Sequence, residues 1–279
     1  MSVINTNVSA SLTQNAISKN ERAMSNAMEQ LSTGKRINSA SDDAAGLAIS
    51  SRMTSQINGL AQAARNGNDA ISLIQTADGA LVEVTAMLQR MRELAVQAAS
   101  DTNVTADRTA LNSEYEALRT EVDRIGDNTQ WNGKNIIDGT AGSGGTLTFQ
   151  VGANQSQTIT IALGDMTSDV ASGGISGIAG TSLTTRASAG GVIAALDTAI
   201  SAVNTERATM GAKMNQLEYA VDNLLNVKVN AEASRSRVED TDYAEATTEL
   251  ARTQIIQQAA TAMLAQANQI PQTVLALLK

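Results

Sequence analysis

The residues of this chain that could do chemistry are few, and most are carboxylates. Asp42-Asp43 stand side by side ahead of an Ala-rich run, and Asp240, Asp242 and Glu245 cluster near the other end. Neighbouring acids can divide general acid and base work or chelate a hard cation. Both groups, however, stand where a helix has to begin. A carboxylate just before Ala44 caps free amides and meets the positive end of the helix dipole. The Asp240–Glu245 group lacks the third ligand and the glycine of a calcium loop, so a helix start near Tyr243 accounts for it. Gly142-Ser143-Gly144-Gly145 has no Lys-Ser/Thr pair after it and leads into a strand pattern, unlike a phosphate loop. Arg207 interrupts an apolar stripe and reads as a snorkelling or paired side chain. His and Cys are absent, which removes imidazole bases, thiolates, disulfides and the usual zinc ligands. The sequence assigns no catalytic, cofactor-binding or metal-ligating residue and no cofactor, and the expected class is structural rather than enzymatic.

Composition narrows the partners. A net charge of −8 disfavours nucleic acid, whose phosphates call for clustered Lys and Arg. No apolar run approaches the roughly 18 residues of a membrane span, so no membrane contact is expected. Met1 to Asn7 shows no basic region followed by an apolar one, hence no standard secretory signal. With one Trp, three Tyr and one Phe in 279 residues, core volume must come from Ala, Leu, Ile, Val and Met. That suits thin helices packed closely.

The elements that must carry these residues fall into two helical arms around a different middle. Ile74, Ala77, Leu81, Val84, Leu88, Met91, Ala95 and Ala98 step by three and four, as do Leu111, Tyr115, Leu118, Val122 and Ile125. A third series runs Ile193, Leu196, Ile200, Val203, Arg207, Met210, Met214, Leu217, Val221 and Leu224. Such spacing keeps one stripe toward a partner helix. A helix from about Ala44 to Ser100 would be roughly 80 Å long, so a rod-like molecule is expected. Twelve of the 20 glycines fall between Gly139 and Gly191. Within that stretch Leu147, Phe149 and Val151, then Ile159, Ile161 and Leu163, alternate with polar residues and predict a β-hairpin. Ser168 to Thr185 reads as loop. The fold class expected is mainly α: an elongated antiparallel helical bundle or coiled coil with a small β-hairpin region mid-chain.

The two ends carry apolar heptads further than fraying termini normally do. Val3, Ala10, Ile17, Met24 and Leu31 recur every seven residues, and Ile256, Ala260, Met263, Ala267, Ile270, Val274 and Leu277 keep a three-four rhythm. One reading closes a bundle with an intramolecular antiparallel pair. The other has these stripes order only by burial against other subunits, making all twelve residues an assembly interface. The polar, weakly helical N-terminal segment favours the second. Pro271 should kink or loosen the last helix.

Leu31-Ser32-Thr33-Gly34-Lys35-Arg36-Ile37-Asn38-Ser39-Ala40-Ser41-Asp42-Asp43-Ala44-Ala45-Gly46-Leu47-Ala48-Ile49 resembles the N-terminal signature of bacterial flagellin. Ala265-Gln266-Ala267-Asn268-Gln269-Ile270-Pro271-Gln272 and the final Val274-Leu275-Ala276-Leu277-Leu278 resemble that family's other end. Trp131-Asn132-Gly133 with Asn135-Ile136-Ile137, and Phe149 to Asn154, are similar to its loop and hairpin. The resemblance covers roughly residues 1–165 and 190–279, so the variable outer domain of longer members is almost absent.

The resemblance implies an extracellular subunit that polymerises helically with itself into the flagellar filament for swimming, exported unfolded and ordered at its ends on assembly. It implies residues 1–40 and 241–279 as the two parts of an inner-tube coiled coil. Residues 41–139 and 190–240 would be the two parts of a helical core domain, and 140–189 a reduced variable region. Implied partners are an export chaperone at the C-terminal segment, and filament capping and hook-associated proteins. Gln89-Arg90-Met91-Arg92-Glu93-Leu94-Ala95-Val96-Gln97 resembles the stretch a Toll-like receptor recognises in some flagellins, with Gln89, Arg90, Leu94 and Gln97 and Glu114 as a candidate recognition face. A packing or subunit-contact role for the same residues competes with that reading. A hook–filament junction protein, which shares terminal helices with the family, is the alternative function.

Overall fold

The computed structural model describes residues 6–168, 175 and 177–277. Among these, the helices are α1 (Val8–Thr33), α2 (Ala44–Ala98), α3 (Thr105–Asn128), α4 (Arg186–Glu239) and α5 (Tyr243–Leu277). The strands are β1 (Gln130–Trp131), β2 (Lys134–Asn135), β3 (Thr146–Gln150) and β4 (Thr158–Ala162), forming two antiparallel pairs, β1 with β2 and β3 with β4. The chain is thus mainly α with a small β region, as its periodicities require. It divides into two compact units, Met1–Ile57 with Val229–Lys279, and Asn58–Lys228.

The second unit holds the main core. The predicted stripe of α2, from Ile74 to Ala98, is wholly buried, together with Tyr115 and Val122 of α3 and Leu196, Val203, Met210 and Leu217 of α4. Arg207, the charged break in the α4 stripe, is paired: its Nε donates to Asp78 Oδ1 at 2.7 Å. The α2 and α4 helices also contain 18-residue windows of mean hydropathy 1.3 and 1.2, in the range of a membrane span. Run length alone passed over this, because Ala and polar residues alternate within them. Between Ala70 and Ala98 the stripe of α2 is consumed by the core, while Val82 and Val96 lie on its exposed side.

The hairpin forms where alternation placed it, pairing Leu147 with Ile161 and Phe149 with Ile159. Ile159, Ile161 and Leu163 enter the core, and Leu147 and Phe149 lie partly buried against it. A second, smaller hairpin was not predicted. Asn132 and Gly133 both have positive φ, 50° and 76°, the geometry of a type I′ turn, and Asn-Gly is its preferred pair. The signal was present, but two-residue strands carry no readable alternation.

The Gly/Ser/Thr-rich stretch is less free than its composition suggests. Ile175, Ile178 and Leu183 are fully buried in the core. Tyr115 and Thr181 share a hydroxyl hydrogen bond of 2.5 Å, Leu183 N donates to Asn112 Oδ1 at 2.7 Å, and Ser168 N and Oγ both donate to Asp123. Isolated apolar anchors have no period, so sequence reading missed them.

This core makes a graded prediction. Leu88→Ala should lower the unfolding free energy by about 2–5 kcal/mol, measured by urea denaturation. Val82→Ala, on the exposed side of the same helix, should change it by about 0.5 kcal/mol or less. Equal losses for the two variants would contradict the assigned stripe.

Candidate functional site

The first unit brings together the chain ends. Helices α1 and α5 pack antiparallel along two rows on each. On α1, the heptad residues Ala10, Ile17, Met24 and Leu31 are partly buried. A second row, Thr13, Asn20 and Ala27, lies beside it, and Asn20 and Ala27 are the most buried residues of the helix. That row was missed because two of its members are polar. On α5 the covered face is Ala246, Leu250, Thr253, Gln257, Ala260, Leu264 and Ala267. Ala260 and Ala267 belong to the predicted stripe. Ile256 and Met263 do not pack there and are exposed, at 38% and 62%. Val3 lies outside the described residues, as do the side chains of Ile270, Val274 and Leu277.

The described parts of the two ends pair within one chain, the first of the two readings of their stripes. The reason is complementarity of the second row, including polar contacts that composition alone reads as weakness. Asn20 Nδ2 donates to Thr253 O at 2.7 Å and to Gln257 Oε1 at 3.1 Å, and Gln257 Nε2 donates to Glu21 Oε1 at 3.2 Å. Nearer the end, Asn7 caps α1 by accepting from Ala10 N and donates to Ala267 O at 2.9 Å. Helix α5 runs on through Pro271 to Leu277, so the proline does not end it.

The pair is closed by a tie between distant segments. Gly34 ends α1 in the left-handed region at φ 71°, a conformation that favours glycine. Thr241 N donates to Gly34 O at 3.0 Å, and Arg36 N donates to Glu239 O at 2.7 Å. The Glu239 carboxylate accepts from Lys35 Nζ and Ser50 Oγ, with Arg235 4.0 Å away. The Lys35 ammonium and the Ser50 hydroxyl hold the Glu239 carboxyl below its usual range.

The predicted acid groups are caps. Asp43 Oδ1 accepts from Gly46 N at 2.9 Å at the start of α2, and Asp242 Oδ1 accepts from Ala244 N at 2.8 Å at the start of α5. Asp42 instead holds the preceding loop: its Oδ2 accepts from the amides of Ser39 and Asn38, which lower its pKa. The cleft lined by Asp123, Asp127, Asp138 and Asp165 is built similarly. Asp138 accepts from Thr140, Asp165 from Thr167 and Asp123 from Ser168. Among the described residues, no three potential ligands converge on a metal position.

Two exposed surfaces bear on the predicted residues. On the paired ends, Val8, Leu12 and Met28 of α1 and Ile255, Ile256 and Met263 of α5 are exposed. In the second unit, Gln89, Arg90, Gln97 and Glu114 are exposed, and Arg90 bridges Glu114 at 2.9 Å and Glu93 at 3.0 Å. Leu94 corrects the predicted face. It is 1% exposed and belongs to the core: three residues from Met91 and four from Arg90, it lies between the two faces, and the packing opposite it decides for the core.

The bacterial flagellin N-terminal helical region matches residues 4–142, and the bacterial flagellin C-terminal helical region matches residues 193–278. A flagellin of Halalkalibacterium halodurans is 46% identical over 277 residues, covering 99% of this chain and 100% of its own. A flagellin of Bacillus subtilis is 41% identical over 302 residues, covering 99% of each chain. The crystal structure of Bacillus cereus flagellin superposes with a TM-score of 0.50 at 37% identity, covering 57% of this chain and 88% of that one.

The Glu239 tie should be visible in pH dependence. A carboxyl whose pKa is depressed on folding adds stability above its unfolded value, about 4.3, and loses it as pH falls through the lower folded value. Thermal melts of the wild type should therefore fall more steeply below about pH 4.3 than those of Glu239→Gln, which should be the less stable protein near neutrality. Parallel pH profiles would show that the tie contributes nothing.

Proposed function

The chain belongs to the bacterial flagellin family, as a short form and a structural subunit of the flagellar filament, and on that premise we propose how its ends build the polymer. The observation that carries the reading is the division of labour on α1 and α5. One face of each is spent on the other, while large apolar side chains on the remaining surface are exposed among the described residues. Apolar area removed from water contributes about 25 cal/mol per Å2, opposed by the entropy of ordering side chains and segments. Ile255, Ile256 and Met263, with Val8, Leu12 and Met28, are the residues that neighbouring copies bury. Full-length similarity to flagellins favours the filament over a hook–filament junction role.

The finer assignments follow from the same premise. Residues 1–40 with 241–279 form the inner contact of the polymer, 41–139 with 190–240 the next layer, and 140–189 what remains of a variable region. The chain leaves the cell unfolded and functions outside it, with a chaperone on the C-terminal segment and capping and hook-associated proteins as assembly partners. The absence of Cys supports such transit, since no disulfide can form on the way. Gln89, Arg90, Gln97 and Glu114 offer a polar face to a Toll-like receptor, with Leu94 fixing the helix beneath it.

Deleting residues 1–30 or 250–279 should leave a folded, soluble second unit that forms no filaments under electron microscopy after salting-out. Ile256→Asp in the full chain should block polymerisation while leaving the circular dichroism spectrum unchanged. Normal filaments from the truncated or the substituted chain would refute the interface. Separately, soluble protein should activate a flagellin-receptor reporter cell line and Arg90→Ala should reduce the response about tenfold or more; silence from the wild type would remove the receptor from the partners.

A further inference from the structure

We propose that Asn20 sets the register between α1 and α5 and rejects misaligned pairing of these helices, including pairing between different copies of the chain. The covered face of α5 is nearly repetitive. Its Ala positions, Ala246, Ala260 and Ala267, alternate with Leu250 and Leu264, and one heptad differs, Thr253 with Gln257. A seam of Ala and Leu alone would pair about equally well after sliding by seven residues, because each side chain would meet another of the same type. Asn20 removes that degeneracy.

The geometry shows how. Asn20 is 8% exposed, so both protons of its amide need protein acceptors. In the observed register they reach Thr253 O and Gln257 Oε1, and Gln257 passes its own donor to Glu21. After a slip of one heptad in either direction, Asn20 would face Leu250 or Leu264 in place of Gln257. Thr253 O is a backbone carbonyl whose counterpart recurs in every heptad, so the register-specific loss is the Gln257 bond, which leaves one proton of the buried Asn20 amide without an acceptor. Other ties agree with the same alignment. Thirteen residues separate Asn7 from Asn20, and fourteen separate their acceptors Ala267 and Thr253. One heptad from Asn20 toward the Gly34 tie, Ala27 and Ala246 are both buried. The Gly34–Thr241 and Arg36–Glu239 bonds fix the register only when both helices belong to one chain that has already closed. The Asn20 amide acts on any α1 that meets any α5.

The test uses the chain's lack of cysteine, which makes every introduced disulfide unambiguous. Thr13→Cys with Ala260→Cys reports the observed register, and Thr13→Cys with Ala267→Cys reports a slip of one heptad. Each pair is equilibrated in a glutathione buffer on full-length protein assembled by salting-out, and intrachain and interchain disulfides are counted by mass spectrometry. In the wild-type background the disulfide between positions 13 and 260 should dominate, with little slipped product within or between chains. Asn20→Leu with Gln257→Leu should raise the slipped and interchain fraction about tenfold while raising, not lowering, the thermal midpoint, because an apolar seam replaces a polar one. A merely structural asparagine would lower the midpoint and leave the register ratio unchanged. Asn20→Ala, which adds no volume, should show the same loss of register if the leucine pair fails to fold. An unchanged register ratio in a folded variant would overturn the proposal. Filament formation is scored separately by electron microscopy, so a change of register is told apart from a failure of the exposed faces of α1 and α5 to drive polymerisation.

Discussion

Everything in the first unit depends on the antiparallel contact between two helices separated by more than 200 residues of sequence. Helix α1 is rich in Asn, Ser, Thr and Gln, and its intrinsic helix propensity is modest. Its cover comes from α5, and the contact is closed by Gly34, Lys35 and Arg36 meeting Glu239 and Thr241. Fixing contacts over such a separation costs loop-closure entropy, which the seam and its closing tie together must offset. The carboxylate of Glu239 gathers this tie because it accepts from two segments at once, the turn after α1 and the first part of α2.

The contact spends only part of the apolar surface. Small and polar side chains do most of the pairing, with Ala27 and Ala246 buried and Asn20 bonded to Thr253 and Gln257, while larger apolar side chains such as Leu12, Ile255 and Met263 stay outside. Small residues let the helices approach closely and polar ones make the approach specific. The larger ones stay exposed, as the proposed contacts with other copies require. A filament subunit needs this separation, because a side chain buried in its own fold cannot also be buried by a neighbour. The second unit reverses the pattern, burying Ile74, Leu81, Leu88, Met91 and Tyr115 completely. Its conspicuous acids, like those of the first unit, hold helix starts and loops in place through hydrogen bonds to nearby amides and hydroxyls.

Much of this could be read from the chain alone. Period and spacing located all the long helices, the β3–β4 hairpin and the α2 stripe down to individual residues, because a helix or strand that buries one face must repeat its apolar residues at 3.6 or 2. Helix starts at Ala44 and Tyr243 followed from the acids before them. The failures share a cause. Leu94, Ile175 and Ile178 are core residues, and Thr13, Asn20, Thr253 and Gln257 are seam residues. In each case burial is decided by what lies opposite, not by the local pattern. A polar side chain in a seam looks like a solvent-facing one until its acceptor is known.

The sequence by itself determined the class of fold, the helical arms, the β region between them, the family and the lack of imidazole and thiol chemistry. Those properties rest on local propensity, periodicity and residue chemistry, which every segment carries with it. Tertiary structure decided which of two apolar rows at each end faces inward, that the ends pair within one chain, and that Leu94 belongs to the core beneath Arg90. Those properties depend on partners far away in sequence, and a heptad alone cannot say which of its neighbours will be a helix of the same chain and which a helix of the next.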